Sequence, residues 1–182
     1  PLLGKLIWGD HEFGKMGEGI GRRSYVSKLV ARQMDKIILL TPLLNHNLTG
    51  VAGNLFNLAF GSVDNTLRFE TTPEELARAL PEVYALPQLA DRVVCCVVDA
   101  LLCQYQGEER AWLHHSTVLN QLRFSRDPVA LDILSIEELD RQRDLAKIRP
   151  VQINRAIYSN ATLLELGQSD PKRIKVIRHE IF

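Results

Sequence analysis

The apolar positions along the chain follow two periods. Short runs that are apolar at nearly every residue, "DKIILL" and "RVVCCVVD", predict buried strands, the second apolar on both faces as in a covered sheet. "VLNQLRF" predicts a third strand, and the alternation in "KRIKVIRHEIF" a final one. Helical spacing separates these runs. "SYVSKLVARQM" places Tyr25, Leu29 and Met34 near one side of a helix with Ser24 as its cap. After Pro42 the pattern predicts a loop and then a helix from about Thr49 to Phe60. "TTPEELARALPEVYALPQLAD" reads as helix with Thr72 as cap, Pro73 in the first turn and Glu74 and Glu75 at the positive end of the dipole. "SRDPVALDILSIEELDRQR" is a helix opened by Asp127 and Pro128, and most of "PVQINRAIYSNATLLEL" another that stops at Gly167. "QYQGEERAWLHHST" reads as a surface loop.

Strands alternating with helices predict an α/β fold: a single layered domain with a mostly parallel or mixed sheet covered by helices. Residues 24–182 form that domain. Residues 1–23, with six glycines and no sustained period, form an N-terminal arm suited to wrapping a partner.

Composition narrows the function classes. The 182 residues carry 22 acidic and 22 basic side chains, so no bulk field recruits nucleic acid or an anionic membrane. No apolar run approaches the roughly 18 residues that span a bilayer, and "PLLGKLIWGD" lacks the features of a secretory leader. The expectation is a soluble chain whose compartment stays open. Cys95, Cys96 and Cys103 do not have the spacing of zinc or iron-sulfur ligation and read as small core hydrophobes, not as a disulfide framework.

Candidate chemistry gathers in "HNLTGVAGNLFNLAFG". With a helix from Thr49, Gly50, Gly53 or Asn54, Asn57 and Gly61 form one small, polar stripe beside an apolar remainder. Following a strand, this seam belongs at the carboxyl end of the sheet, where open α/β folds bind ligands. Free amides at the helix start, with Thr49 as cap and Gly50 allowing close approach, offer an anion site. The bland alternative is that the glycines let the helix press on the sheet while the asparagines tie down backbone. The spacing is neither a dinucleotide fingerprint nor a P-loop.

Asp99 closes "RVVCCVVD" at the same expected rim, where it either joins His46 in binding a divalent metal or orienting a base, or caps the next turn. Asp127, just before Pro128, has the position of a helix N-cap. Asp132 falls in a helical series with Val129, Ile136 and Leu139, so it needs a buried partner, such as Arg126 or a distant lysine. His114 and His115 are adjacent in a polar loop and share no face. No nucleophile elbow or H-E-x-x-H motif is present.

In order, "NHNLTGVAGNLFNLAFGSVDN", "VVDALLCQYQGEE", "LRFSRDPVALDIL" and "NATLLELGQSDPKRIKVI" resemble domain-of-unknown-function family 362, from about Ser24 to the end. The resemblance implies an α/β domain with its recurring polar residues near one edge, and a substantial segment preceding this region. Longer members carry an iron-sulfur insert. The cluster cysteines are absent here, and Leu44 and Phe56 stand where the family pattern has lysines. His46, Asn57, Asp99, Asp127 and Asp132 match it.

Losing two ammonium groups favours a non-catalytic subunit or binding module, derived from an enzyme-like fold and acting with other protein subunits in a larger assembly. The alternative is an enzyme binding a small anionic substrate, with or without a divalent metal, at the His46/Asn57/Asp99 edge. Its catalytic candidates are His46, Asp99 and Asp132, its ligand-binding candidates Thr49, Gly50, Asn54, Asn57 and Asp127, and its metal candidates His46 and Asp99. No other cofactor is evident.

Overall fold

The computed structural model describes residues 23–107 and 112–180. At its centre lies one mixed sheet of four strands in the order β2-β1-β3-β4. The strands are β1 (Ile37–His46), β2 (Gly50–Val51), β3 (Val93–Gln104) and β4 (Ser116–Ser125). β1 and β3 are parallel, and the two outer pairs are antiparallel. The helices are α1 (Lys28–Gln33), α2 (Asn54–Gly61), α3 (Pro73–Tyr84), α4 (Pro128–Leu145) and α5 (Ala156–Leu163). An α/β domain with a mixed sheet is what the alternating pattern predicts.

Local chemistry sets two of the helix starts as expected. The Thr72 hydroxyl accepts from the Glu75 amide at 3.1 Å, and Asp127 Oδ1 from the Ala130 amide at 2.8 Å, each followed by proline in the first turn.

The strands run longer than their apolar runs. β1 continues through Pro42, where its register with β3 jumps from Pro42–Asp99 to Leu43–Cys103. A proline lacks the ladder donor, and an irregularity in pairing accommodates it. The loop expected after Pro42 is therefore strand up to His46. Gly50 and Val51 then turn back to pair with His46 and Asn45, so α2 begins at Asn54 and not at Thr49. Gly50 has φ +86°, which favours a residue without a side chain.

Burial along β1 alternates strictly at first: Ile37, Leu39, Thr41, Leu43 and Asn45 are buried. Ile38 and Leu40 are 67% and 71% exposed. On β3, Cys96, Val98, Ala100 and Cys103 are buried beside them. The helical layer therefore covers one face, and the core with Leu55, Leu80, Val129 and Ile136 lies between it and the sheet. The expectation that "RVVCCVVD" is covered on both sides fails on the other face. There Leu40 pairs with Val97 and Val97 with Phe124, which is 64% exposed.

Two further expectations change. Residues 24–27 do not start a helix: Val26 bridges to Val63, the Ser27 amide donates to the Ser62 carbonyl, and the Ser24 hydroxyl donates to the Asn65 carbonyl. These long-range bonds hold the segment extended, and Tyr25 and Leu29 are exposed. The Arg92 guanidinium holds the short α1 by donating to the carbonyls of Val30, Ala31 and Met34. Near the end of the chain, 174–180 joins no strand; Ile174 packs on the core while Val176 and Ile177 stay exposed. Residues 1–22 of the expected arm and residues 108–111 of the expected surface loop lie outside the described residues.

Candidate functional site

Asp132 is fully buried on α4 and faces the start of α2. Its Oδ1 accepts from the Asn54 amide at 2.7 Å and from Asn54 Nδ2 at 2.8 Å, and its Oδ2 accepts from the Leu55 amide at 3.0 Å. The buried carboxylate's partner is thus neither Arg126 nor a lysine but a helix N-terminus, whose free amides and dipole favour negative charge. The fit is close. A Cβ on Gly53 would lie 2.3 Å from Asp132 Oδ1, so glycine is needed at that point. Burial outweighs the three donated bonds and pushes the Asp132 carboxyl up to about 6.

The helix begins four to five residues beyond the start expected at Thr49, and the group on its first amides is the chain's own Asp132 carboxylate. Asn54 joins in through its amide nitrogen. Its Oδ1 is buried and without a hydrogen-bond partner, as are the hydroxyls of Thr41, Tyr84 and Ser135.

The other seam residues also bond to the chain itself. The Thr49 hydroxyl donates to the Val51 carbonyl at 2.7 Å and lies 2.9 Å from His46 Nδ1, while the Thr49 carbonyl accepts from the Tyr158 hydroxyl at 2.8 Å. A Cβ on Gly50 would meet the Ile153 side chain at 3.0 Å, so the close approach there is to a core side chain. Asn57 is exposed, and its Nδ2 donates to the Ala52 carbonyl at 2.7 Å. The His46 ring packs 4.3 Å from that of Phe56, and partial burial lowers its pKa, favouring neutral imidazole.

His46 and Asp99 are not brought together. Asp99 does not close its strand: it pairs with Pro42 and Leu122 within the sheet, and its Oδ1 accepts from the Leu101 amide at 3.0 Å. His46 lies four residues beyond Pro42 along β1, a rise of roughly 13 Å. Among the described residues, no three histidine, cysteine, aspartate or glutamate side chains gather as a metal site. Asp127 bridges two backbones: besides capping α4, its Oδ2 accepts from the Gln168 amide at 2.9 Å, and a Cβ on Gly167 would lie 1.9 Å from its Oδ1.

A second buried polar group escaped the sequence reasoning. Arg143 is fully buried on α4, donating to the Tyr105 carbonyl at 2.7 Å, to Asp140 Oδ1 at 2.6 Å and to Asn45 Oδ1. Asn45 Nδ2 in turn donates to the Gly107 carbonyl at 2.7 Å. The signal was present, because the series Val129, Asp132, Ile136, Leu139 reaches Arg143 four residues later, and Asn45 shares the buried parity of β1.

Burial also settles the thiols, pushing Cys96 up to about 12 and Cys103 up to about 11 and so keeping both neutral. A cavity of about 370 Å³ lies among Tyr84, Asp91, Val93, Arg126, Pro128 and Glu165, and takes in none of His46, Asn57 or Asp99. Among the described residues no helix is long and apolar enough to cross a membrane. No family model, no curated protein and no solved structure matches the chain.

Proposed function

We propose that this chain is a non-catalytic subunit or binding module that works within a larger protein assembly, presenting the open face of its sheet. The supporting observation is the contiguous apolar surface formed by Ile38, Leu40, Leu102, Val118, Leu122 and Phe124, each more than half exposed. Monomeric soluble proteins rarely leave contiguous apolar patches beyond a few hundred Å² uncovered, and larger ones mark interaction sites. A parallel strand pair such as β1–β3 is ordinarily covered on both faces, so the sheet lacks one layer.

The polar seam supports the same reading. Asp132, Asn54, Thr49, Asn57 and Asp127 each hydrogen-bond to the chain itself, and Leu44 and Phe56 add no charge beside His46. Kinship with family 362, degenerate at two lysine positions, is part of this proposal.

Native mass spectrometry of the protein isolated from its source tests it. The expected result is a stoichiometric assembly that Phe124→Lys disrupts. A lone wild-type chain that retains a small anion or metal would overturn the proposal and favour an enzyme.

A further inference from the structure

Resting on that reading, we propose that the missing layer is a second copy of this chain, packed sheet to sheet across a two-fold axis. Three features of the open face fit this occupant. The first is extent: Ile38, Leu40, Leu122 and Phe124 are each more than half exposed, with Lys36 and Pro42 exposed beside them, and together they span three strands of one face, the kind of surface on which a standard interface, roughly 800 Å² per partner, is built. The second is composition. Between Ile38 and Phe124 the face holds a single charge, Asp99, as the centre of an interface requires.

The third feature is charge complementarity of the face with itself. Lys36 is exposed next to the start of β1, and Asp99 lies level with Pro42, six residues further along that strand. An axis between the two faces, crossing the strands at the level of Leu39, sets Lys36 of one copy over Pro42 and Asp99 of the other. The same operation lays Ile38 on Leu40, and its mirror contact is made at the other end, as in any isologous interface. Two sheets packed in this way keep their strands within about 30° of alignment. The formal net charge of +0 means that copies do not repel each other overall.

The test is sedimentation equilibrium of the full chain from about 1 to 100 μM, with circular dichroism to verify folding. Wild type is expected to dimerise, and Leu40→Lys and Phe124→Lys to weaken dimerisation by about 30-fold or more. Both side chains are exposed within one chain, so neither substitution disturbs the core. Leu163→Lys, at a position 80% exposed on α5, is expected to leave dimerisation unchanged.

The sharper arm swaps charges. Lys36→Glu and Asp99→Lys are each expected to weaken self-association about 5-fold, and an equimolar mixture of the two to regain it as a heterodimer. A mixture that stays as weak as its components overturns the proposal, as does a dimer indifferent to Leu40→Lys and Phe124→Lys.

A monomeric wild type at 100 μM also overturns it, and then two results fall apart cleanly. A different protein that accompanies the wild-type chain from its source in fixed ratio, and is lost with Phe124→Lys, leaves the binding-module reading standing. A lone chain that behaves identically with and without Phe124→Lys removes both.

Discussion

The two faces of the central sheet are written in nearly the same residues. Leucine, isoleucine, valine and cysteine line each, yet Leu43 is 1% exposed beneath the helices while Leu40, on the same strand, is 71% exposed. Apolar composition thus records what a face can bury and leaves open what buries it. The contrast is sharpest in stability. Leu43→Ala removes packed methyl groups from a closed core and is expected to cost about 3 kcal/mol. In a monomeric variant such as Phe124→Lys, Leu40→Ala is expected to cost less than about 1 kcal/mol. Urea unfolding of both checks this, and equal costs would mean that the open face is covered within the chain.

Charge divides the faces in the same way. Asp132 lies under the helices with three donors on its carboxylate, whereas Asp99 stands half-buried on the open side with one. Asp132→Ala leaves the start of α2 unsatisfied in the interior and is expected to cost about 2 to 3 kcal/mol, against less than about 1 kcal/mol for Asp99→Ala.

The Asp132 effect also depends on pH. Burial raises its native pKa to about 6, above the unfolded value of about 3.9, so the native state holds the proton more tightly. The group's contribution is then greatest below pH 4 and declines as pH rises to 6. Wild type is expected to lose roughly 2 kcal/mol relative to Asp132→Asn between pH 4.5 and 6.5. A difference that stays flat over that range would show that the helix start compensates the burial.

These contrasts explain which parts were legible in the chain. The helices at Pro73 and Pro128 were, because a capping side chain, a proline and a helical stripe agree at one place. The strand cores were legible as apolar runs, but their lengths were not: Pro42 looks like a stop, and only pairing with β3 carries the strand past it. The polar seam was legible as a cluster of residue types. Its roles were not, because Asp132 lies 78 residues from Asn54 in sequence and no local pattern joins an acid on one helix to the amides of another. The uncovered face was misread for a simple reason. Burial by the chain's own helices and burial by something else leave the same trace in sequence.

The smallest effect expected belongs to His46, at the end of β1 where strand gives way to seam, and it is read by its sign. Burial lowers the pKa of His46, so the unfolded chain takes up its proton more readily than the native one. Its contribution is present above the unfolded value of about 6.5 and is lost as pH falls, opposite in direction to that of Asp132. In an Asp132→Asn background, acidification from pH 7 to 5 is expected to destabilise the chain more with His46 than with His46→Gln. Glutamine keeps an acceptor for the Thr49 amide, which separates titration from loss of the bond. The same pair of variants tests the seam itself. If a divalent metal raises the unfolding midpoint with His46 and not with His46→Gln, the ring serves as a ligand, and the contrast between an internally bonded seam and an open, unengaged face breaks at that residue.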